Sequence, residues 1–222
     1  MVKAILFDMD GLIFDTESIY KLSWQDAAKK QGLEISDEFY QQFIGVQDPE
    51  CERMLATHFA EQIDMTRYCS NRDEHFHALR EKGIAFKPGF AELFANIKSR
   101  GLKTAIVTSS HRPEVEHNFR NSDYLSQFDL VITAEDVDRG KPNPDCYVMA
   151  YQALKVNAED CIVLEDSNNG VKAGLDAGCR VVMVPDLLPP QEQYLERVTV
   201  ISMLDEAIPL LDYSSDKTKP PL

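Results

Sequence analysis

Four carboxylates crowd the segment ILFDMDGLIFDTE at residues 5–17, and two of them, Asp8 and Asp10, stand directly at the end of an apolar run. Two apart on an extended chain, they project from the same side, and Gly11 permits a tight departure of the backbone. Further reactive side chains follow later apolar runs: Thr108 and Ser109, then Lys141 within Arg139-Gly-Lys-Pro-Asn-Pro144, then Glu165 and Asp166. Taken singly, each has an ordinary explanation. An aspartate caps a loop, Thr-Ser at a strand end caps a helix, and a lysine before proline sits on the surface. Taken together they form a pattern, because like charges held close need a cation or a proton to coexist. Oxygen-only ligation without histidine or cysteine points to Mg2+. Four acids, one divalent cation and one lysine sum to roughly −1, which favours keeping Asp10 protonated and makes it a candidate general acid. The Thr108-Ser109 hydroxyl and amides suit an anion.

The elements that must position these groups are short. Runs suited to strands buried on both faces occur at Ala4–Phe7, Thr104–Val107, Leu130–Ile132, Cys161–Leu164 and Arg180–Val184. Helical segments alternate with the later ones, such as Phe90–Arg100 closed by Gly101, and Pro144–Leu154. The alternation predicts an α/β fold, a doubly wound parallel sheet of Rossmann-like type, with ligands at the carboxyl ends of the strands. Residues 16–84 contain no comparable strand run and read as helices broken at Gln31-Gly32, Gly45–Pro49 and Lys82-Gly83. The expected organisation is therefore a core of residues 1–15 and 85–222 with a helical-bundle domain, 16–84, inserted after the first strand. Gly170, Gly174 and Gly178 share a helix face and predict close helix-on-sheet packing, with Gly178 as the stop. A polar tail begins near Ser214.

Composition narrows the function. Against 23 basic residues stand 37 acidic ones, a net charge of −14, which argues against a nucleic-acid or anionic-membrane surface. Five cysteines without a C-x-x-C pair suggest neither a disulfide framework nor a zinc site. With no signal-peptide core and no spanning run, a cytoplasmic protein with reduced thiols is expected, a monomer, whose partner is a small molecule.

The four stretches Asp8-Met-Asp10-Gly-Leu, Val107-Thr-Ser109, Gly140-Lys-Pro-Asn-Pro144 and Leu164-Glu-Asp166-Ser-Asn-Asn-Gly resemble, in order, the motifs of the haloacid dehalogenase superfamily. The helical insert after the first motif resembles the subgroup with a four-helix cap, which holds β-phosphoglucomutase-like and pseudouridine-5′-phosphatase-like enzymes. The resemblance implies that Asp8 is a nucleophile forming an aspartyl phosphate, and that Asp10 protonates the leaving oxygen and later deprotonates water. It implies Mg2+ on Asp8, the Asp10 carbonyl and Asp166, with Glu165 joining directly or through water. Thr108, the Ser109 amide and Lys141 would grip the phosphoryl oxygens. An acid at position 10 argues against carbon–halogen cleavage, since the dehalogenase members lack it.

The expected activity is a Mg2+-dependent phosphomonoesterase acting on a small phosphorylated metabolite, a sugar phosphate or a nucleoside 5′-monophosphate, with a phosphosugar mutase as the alternative. A mutase must hold a second phosphate, and the loop that carries an arginine for this purpose in the mutases corresponds to residues 44–50, with Asp48 near that position and Tyr20 where a histidine stands. Arg72, His58, His75 and His77 are read as solvated or locally satisfied, and Trp24 as core. A receiver-type signalling module shares the residue types but not their order, because there the lysine comes last.

Overall fold

A computed structural model of the chain describes residues 1–43, 46 and 48–212. The tail from Ser214 and positions 44, 45 and 47 of the loop compared with the mutases lie outside the described residues. The chain divides into two compact units, Met1–Asp15 with Ala85–Leu222, and Thr16–Ile84.

In the first unit the strand β1 (Ala4–Phe7) is buried at all four positions. The second unit follows it with helices α1 (Thr16–Lys29), α2 (Asp37–Tyr40), α3 (Asp48–Phe59) and α4 (Met65–Glu81). The first unit then resumes with α5 (Phe90–Ser99), β2 (Lys103–Val107), α6 (Arg112–Phe119), β3 (Leu130–Ile132), α7 (Asp145–Ala153), β4 (Cys161–Glu165), α8 (Asn168–Asp176), β5 (Arg180–Met183) and β6 (Thr199–Val200). The six strands form one sheet in the order β3-β2-β1-β4-β5-β6, every pair parallel. Leu6 pairs with Ala105 on one side and Val163 on the other, so β1 is central. The sheet and its helices are the α/β architecture expected from the alternating runs. Three boundaries shift by a residue: β2 begins at Lys103, β4 reaches Glu165 and β5 stops at Met183. The edge strand β6 carried no apolar signal because both its residues are exposed.

Alternation along β1 feeds two cores, as a sheet covered on both faces requires. Ala4 and Leu6 join Val163, Val181, Val171, Ala173 and Tyr147 beneath α7 and α8. Phe7 turns the other way, with the Phe90 and Phe128 rings edge-on at centroid distances of 6.2 and 5.7 Å. Each such ring, fully buried, contributes about 1.5–3 kcal/mol. Helix α8 lies close on the sheet: a Cβ on Gly174 would sit 2.8 Å from Val181 Cγ2. The helix ends in a Schellman arrangement, with Gly178 N–H donating to Leu175 O and Cys179 N–H to Gly174 O, and Gly178 at φ 80° supplies the left-handed residue it needs.

The second unit has its own core around Trp24, Ala27, Tyr40, Phe43, Leu55 and Tyr68. Trp24 is 1% exposed, in keeping with a packing role. Arg72 is not solvated: it is buried, its guanidinium stacked over Trp24 at 4.7 Å and bonded to Glu52 and Asp73 at 2.8 Å each. His58 is exposed and stacks on Phe39. His75 lies 3.4 Å from Asp26.

Candidate active site

Parallel strands end in register, so side chains one residue beyond them meet at one edge of the sheet. Asp8 follows β1, and its N–H donates to Leu164 O at 3.0 Å, which extends the ladder and fixes the carboxylate beside the end of β4. Glu165 closes β4 with no exposed surface. Between them lies the ammonium of Lys141, donating to Asp8 Oδ1 at 2.5 Å, Glu165 Oε1 at 2.6 Å and the Val107 carbonyl at 2.9 Å. All three lysine protons thus have acceptors, which is the condition for burying a charge. Glu165 also accepts from the Tyr147 hydroxyl at 2.5 Å and from Ser167 Oγ at 3.2 Å.

Asp8, Glu165 and Asp166 each offer a carboxylate oxygen within 4.8 Å of one another. Three carboxylates against one ammonium leave two negative charges uncompensated if all ionise. The electrostatics reflect this. Burial, with repulsion from Glu165 added and Lys141 pulling the other way, pushes the Asp8 carboxyl up to about 8. Burial, then Asp8 and Glu165, raise Asp166 well above the ordinary aspartate range. Burial opposes the charged form of Lys141, but Asp8 and Glu165 outweigh it and hold its pKa above the usual lysine value. A buried, oxygen-only set with an excess charge near two suits a divalent hard cation.

Asp10 accepts a hydrogen bond from Ser110 Oγ at 2.6 Å, and its charge adds to the rise at Asp8. Thr108 is buried, its N–H bonded to Ile132 O at 3.0 Å and its hydroxyl accepting from Ser110 N–H at 3.0 Å, while Ser109 is exposed. Sequence reasoning stopped at Thr108-Ser109 and missed Ser110, although the third hydroxyl of the run Thr-Ser-Ser was a usable signal. It also missed Tyr147, hidden in the apolar pattern of α7. A third omission is Asp186, whose Oδ1 accepts from Lys87 at 2.6 Å.

Two glycines make room for the acids. Gly11, at φ 80°, presents its open side to Asp166, whose Oδ2 would lie 2.4 Å from any added Cβ. On Gly170 an added Cβ would fall 1.8–2.0 Å from the Glu165 carboxylate. Gly170→Ala is therefore expected to displace Glu165 from Lys141 and to lower stability by about 2–4 kcal/mol, read as an earlier urea midpoint with an unchanged slope.

A family model described as haloacid dehalogenase-like hydrolase matches residues 5–184. Hexitol phosphatase A of Escherichia coli is 32% identical over 182 residues, covering 82% of each chain. The phosphorylated carbohydrates phosphatase of Thermotoga maritima is 28% identical over 80% of this chain and 82% of its own. Among solved structures, a Thermotoga maritima protein put forward as a beta-phosphoglucomutase superposes with a TM-score of 0.80 at 26% identity, covering 95% of this chain and 98% of that one.

Proposed function

The chain belongs to the haloacid dehalogenase-like hydrolases, and from that membership we propose that it is a Mg2+-dependent phosphomonoesterase working through an aspartyl phosphate at Asp8. The observation that carries this reading is the Lys141 ammonium held between Asp8 and Glu165 with Asp166 alongside. The substrate class is a small phosphorylated metabolite, a sugar phosphate or a nucleoside 5′-monophosphate, and relatives named for phosphorylated carbohydrates and hexitol phosphate favour the sugar phosphates. Residues 16–84 are assigned the role of a cap that selects the substrate.

Asp8 attacks phosphorus in line, and the P–O bond to the leaving group breaks as the aspartyl phosphate forms. Asp10 delivers a proton to the leaving oxygen, then takes one from the water that hydrolyses the intermediate, with Ser110 fixing the carboxyl's orientation. Lys141, Thr108 and the Ser109 amide hold the phosphoryl oxygens. Asp8, Asp166 and the Asp10 carbonyl would hold Mg2+, with Glu165 acting directly or through water. Bound there, the ion offsets the negative charge that nucleophile and phosphoryl group bring together. The decisive experiment is phosphate release from a panel of sugar phosphates and nucleotides with and without Mg2+. No release from any of them ends this reading.

Two further results are expected. At 100 times its Kd, Mg2+ stabilises the folded chain by roughly 2.7 kcal/mol and raises Tm by about 5–10 °C. At one fixed Mg2+ concentration the rise is larger at pH 8 than at pH 5, because the ion must displace protons that burial holds on Asp8 and Asp166. Asp166→Asn abolishes it, and a Tm indifferent to millimolar Mg2+ removes the metal from the mechanism. For Asp10→Asn, turnover is expected to fall about 10²–10⁴-fold while the Mg2+-induced Tm rise persists. Loss of that rise would make Asp10 a ligand first.

The alternative, a phosphosugar mutase, has in its favour the similarity to the Thermotoga maritima protein. Against it, Asp48 near the mutase arginine position accepts a hydrogen bond from Tyr20, and the buried Arg72 is already neutralised by Glu52 and Asp73. A coupled assay primed with a hexose bisphosphate decides between them: isomerisation faster than phosphate release establishes the mutase.

A further inference from the structure

Five cysteines are present and all are free thiols, yet two of them are neighbours. The β4–β5 register pairs Ile162 with Arg180 and Val163 with Val181, so one step back places Cys161 opposite Cys179. Both face the core beneath α7 and α8, with 0% and 6% exposure. Their thiols lie close enough for each to shift the other's pKa. Neither backbone has slack. Cys161 opens β4 and its Sγ reaches Asn157 O at 3.3 Å, while Cys179 is the residue whose N–H completes the Schellman end of α8. Adjacent strands bring paired Cα atoms to about 5 Å, inside the range a disulfide spans.

We propose that Cys161 and Cys179 are a redox-active pair that peroxide converts to an intramolecular disulfide, fastening the end of α8 to the start of β4. The chemistry balances. The thiolate of one cysteine attacks hydrogen peroxide, forming an S–O bond and breaking O–O, which leaves a sulfenic acid and a hydroxide that takes up the proton the thiol released, giving water. The sulfur of the other displaces the hydroxyl, forming S–S and a second water. Overall two thiols are oxidised and one peroxide is reduced. Each thiol biases the other's ionisation, Cys161 downward and Cys179 upward, as neighbouring sulfurs on adjacent strands must. The other cysteines lack such a partner among the described residues: Cys51 hydrogen-bonds Phe43 and Val46 carbonyls.

The closed loop contains Asp166 and the whole of α8, so the bond would restrict the unfolded chain in the segment that carries the last acidic motif. At four strand residues from Glu165, roughly 13 Å, it would not reach the carboxylates themselves.

The test uses the full chain treated with a few equivalents of hydrogen peroxide, blocked with N-ethylmaleimide and digested without reduction. The expected result is a loss of about 2 Da from the intact protein, a cross-linked peptide joining Cys161 to Cys179, and reversal by dithiothreitol. The oxidised protein should melt on the order of 5 °C higher than the reduced protein. Cys179→Ser should show neither change. Because the comparison of oxidised with reduced wild type needs no variant, a poorly folding Cys179→Ser would not blunt it. Five alkylatable thiols after treatment, a cross-link between another pair, or oxidation stopping at sulfinic acid would overturn the assignment. An oxidised protein that melts no higher than the reduced one would overturn the fastening role.

Discussion

Asp8→Asn is expected to reduce phosphate release from a generic phosphomonoester by about 10⁴-fold or more while the protein still folds. At 1.36 kcal/mol per decade this is about 5 kcal/mol of transition-state stabilisation, the scale on which losing a nucleophile is felt. Folding should survive for a specific reason. The amide is nearly the same shape as the acid, its carbonyl oxygen can still accept from Lys141, and removing one of three crowded negative charges relieves repulsion on Glu165 and Asp166. Steady-state release of inorganic phosphate measures the loss and circular dichroism the fold. Activity within tenfold of wild type would take the nucleophile away from Asp8.

The second large effect is on stability. Lys141→Met removes the one ammonium that lies between Asp8 and Glu165 and leaves a fully buried glutamate without its counter-charge. Breaking a buried pair in this way costs about 3–5 kcal/mol. Urea titrations of variant and wild type at pH 8 report it. Turnover should fall as well, since the same ammonium is assigned to the phosphoryl oxygens. A variant as stable as wild type at pH 8 would mean that Lys141 is dispensable to the fold.

How much of this was legible in the sequence depended on whether a residue's partner was set by strand order or by side-chain reach. Asp8, Thr108, Glu165 and Asp166 each follow a short apolar run, and parallel strands gather whatever follows them at one edge. Lys141 could be paired with the acids by charge alone. The finer contacts depend on geometry that periodicity does not carry. Ser110 reaches Asp10 only because the chain turns after Thr108. Tyr147 reads as one more core aromatic until α7 aims its hydroxyl at Glu165. Arg72 was read as solvated or locally satisfied and is the second, through Glu52 and Asp73, but nothing local announces that Trp24 lies beneath it. Lys87 and Asp186 are 99 residues apart and meet across the fold, a pairing no local pattern specifies. Neither do Cys161 and Cys179 stand out until the β4–β5 register is known.

The central place of β1 has a consequence for the chain as it is made. Its partners arrive late: Ala4 pairs with Lys103 and Cys161, and Asp8 meets Lys141 across 133 residues. At 5–20 residues per second, roughly 7–27 s pass between the synthesis of Asp8 and that of its lysine. Until β2 is made, Ile5, Leu6 and Phe7 have no strand to pair with and are the kind of apolar segment that seeds aggregation. Lys3 stands on one side of it and Asp8 and Asp10 on the other. Charges in those positions act as gatekeepers against intermolecular pairing. The acids assigned to phosphoryl transfer in the finished protein thus also keep its first strand soluble until the sheet is there to receive it.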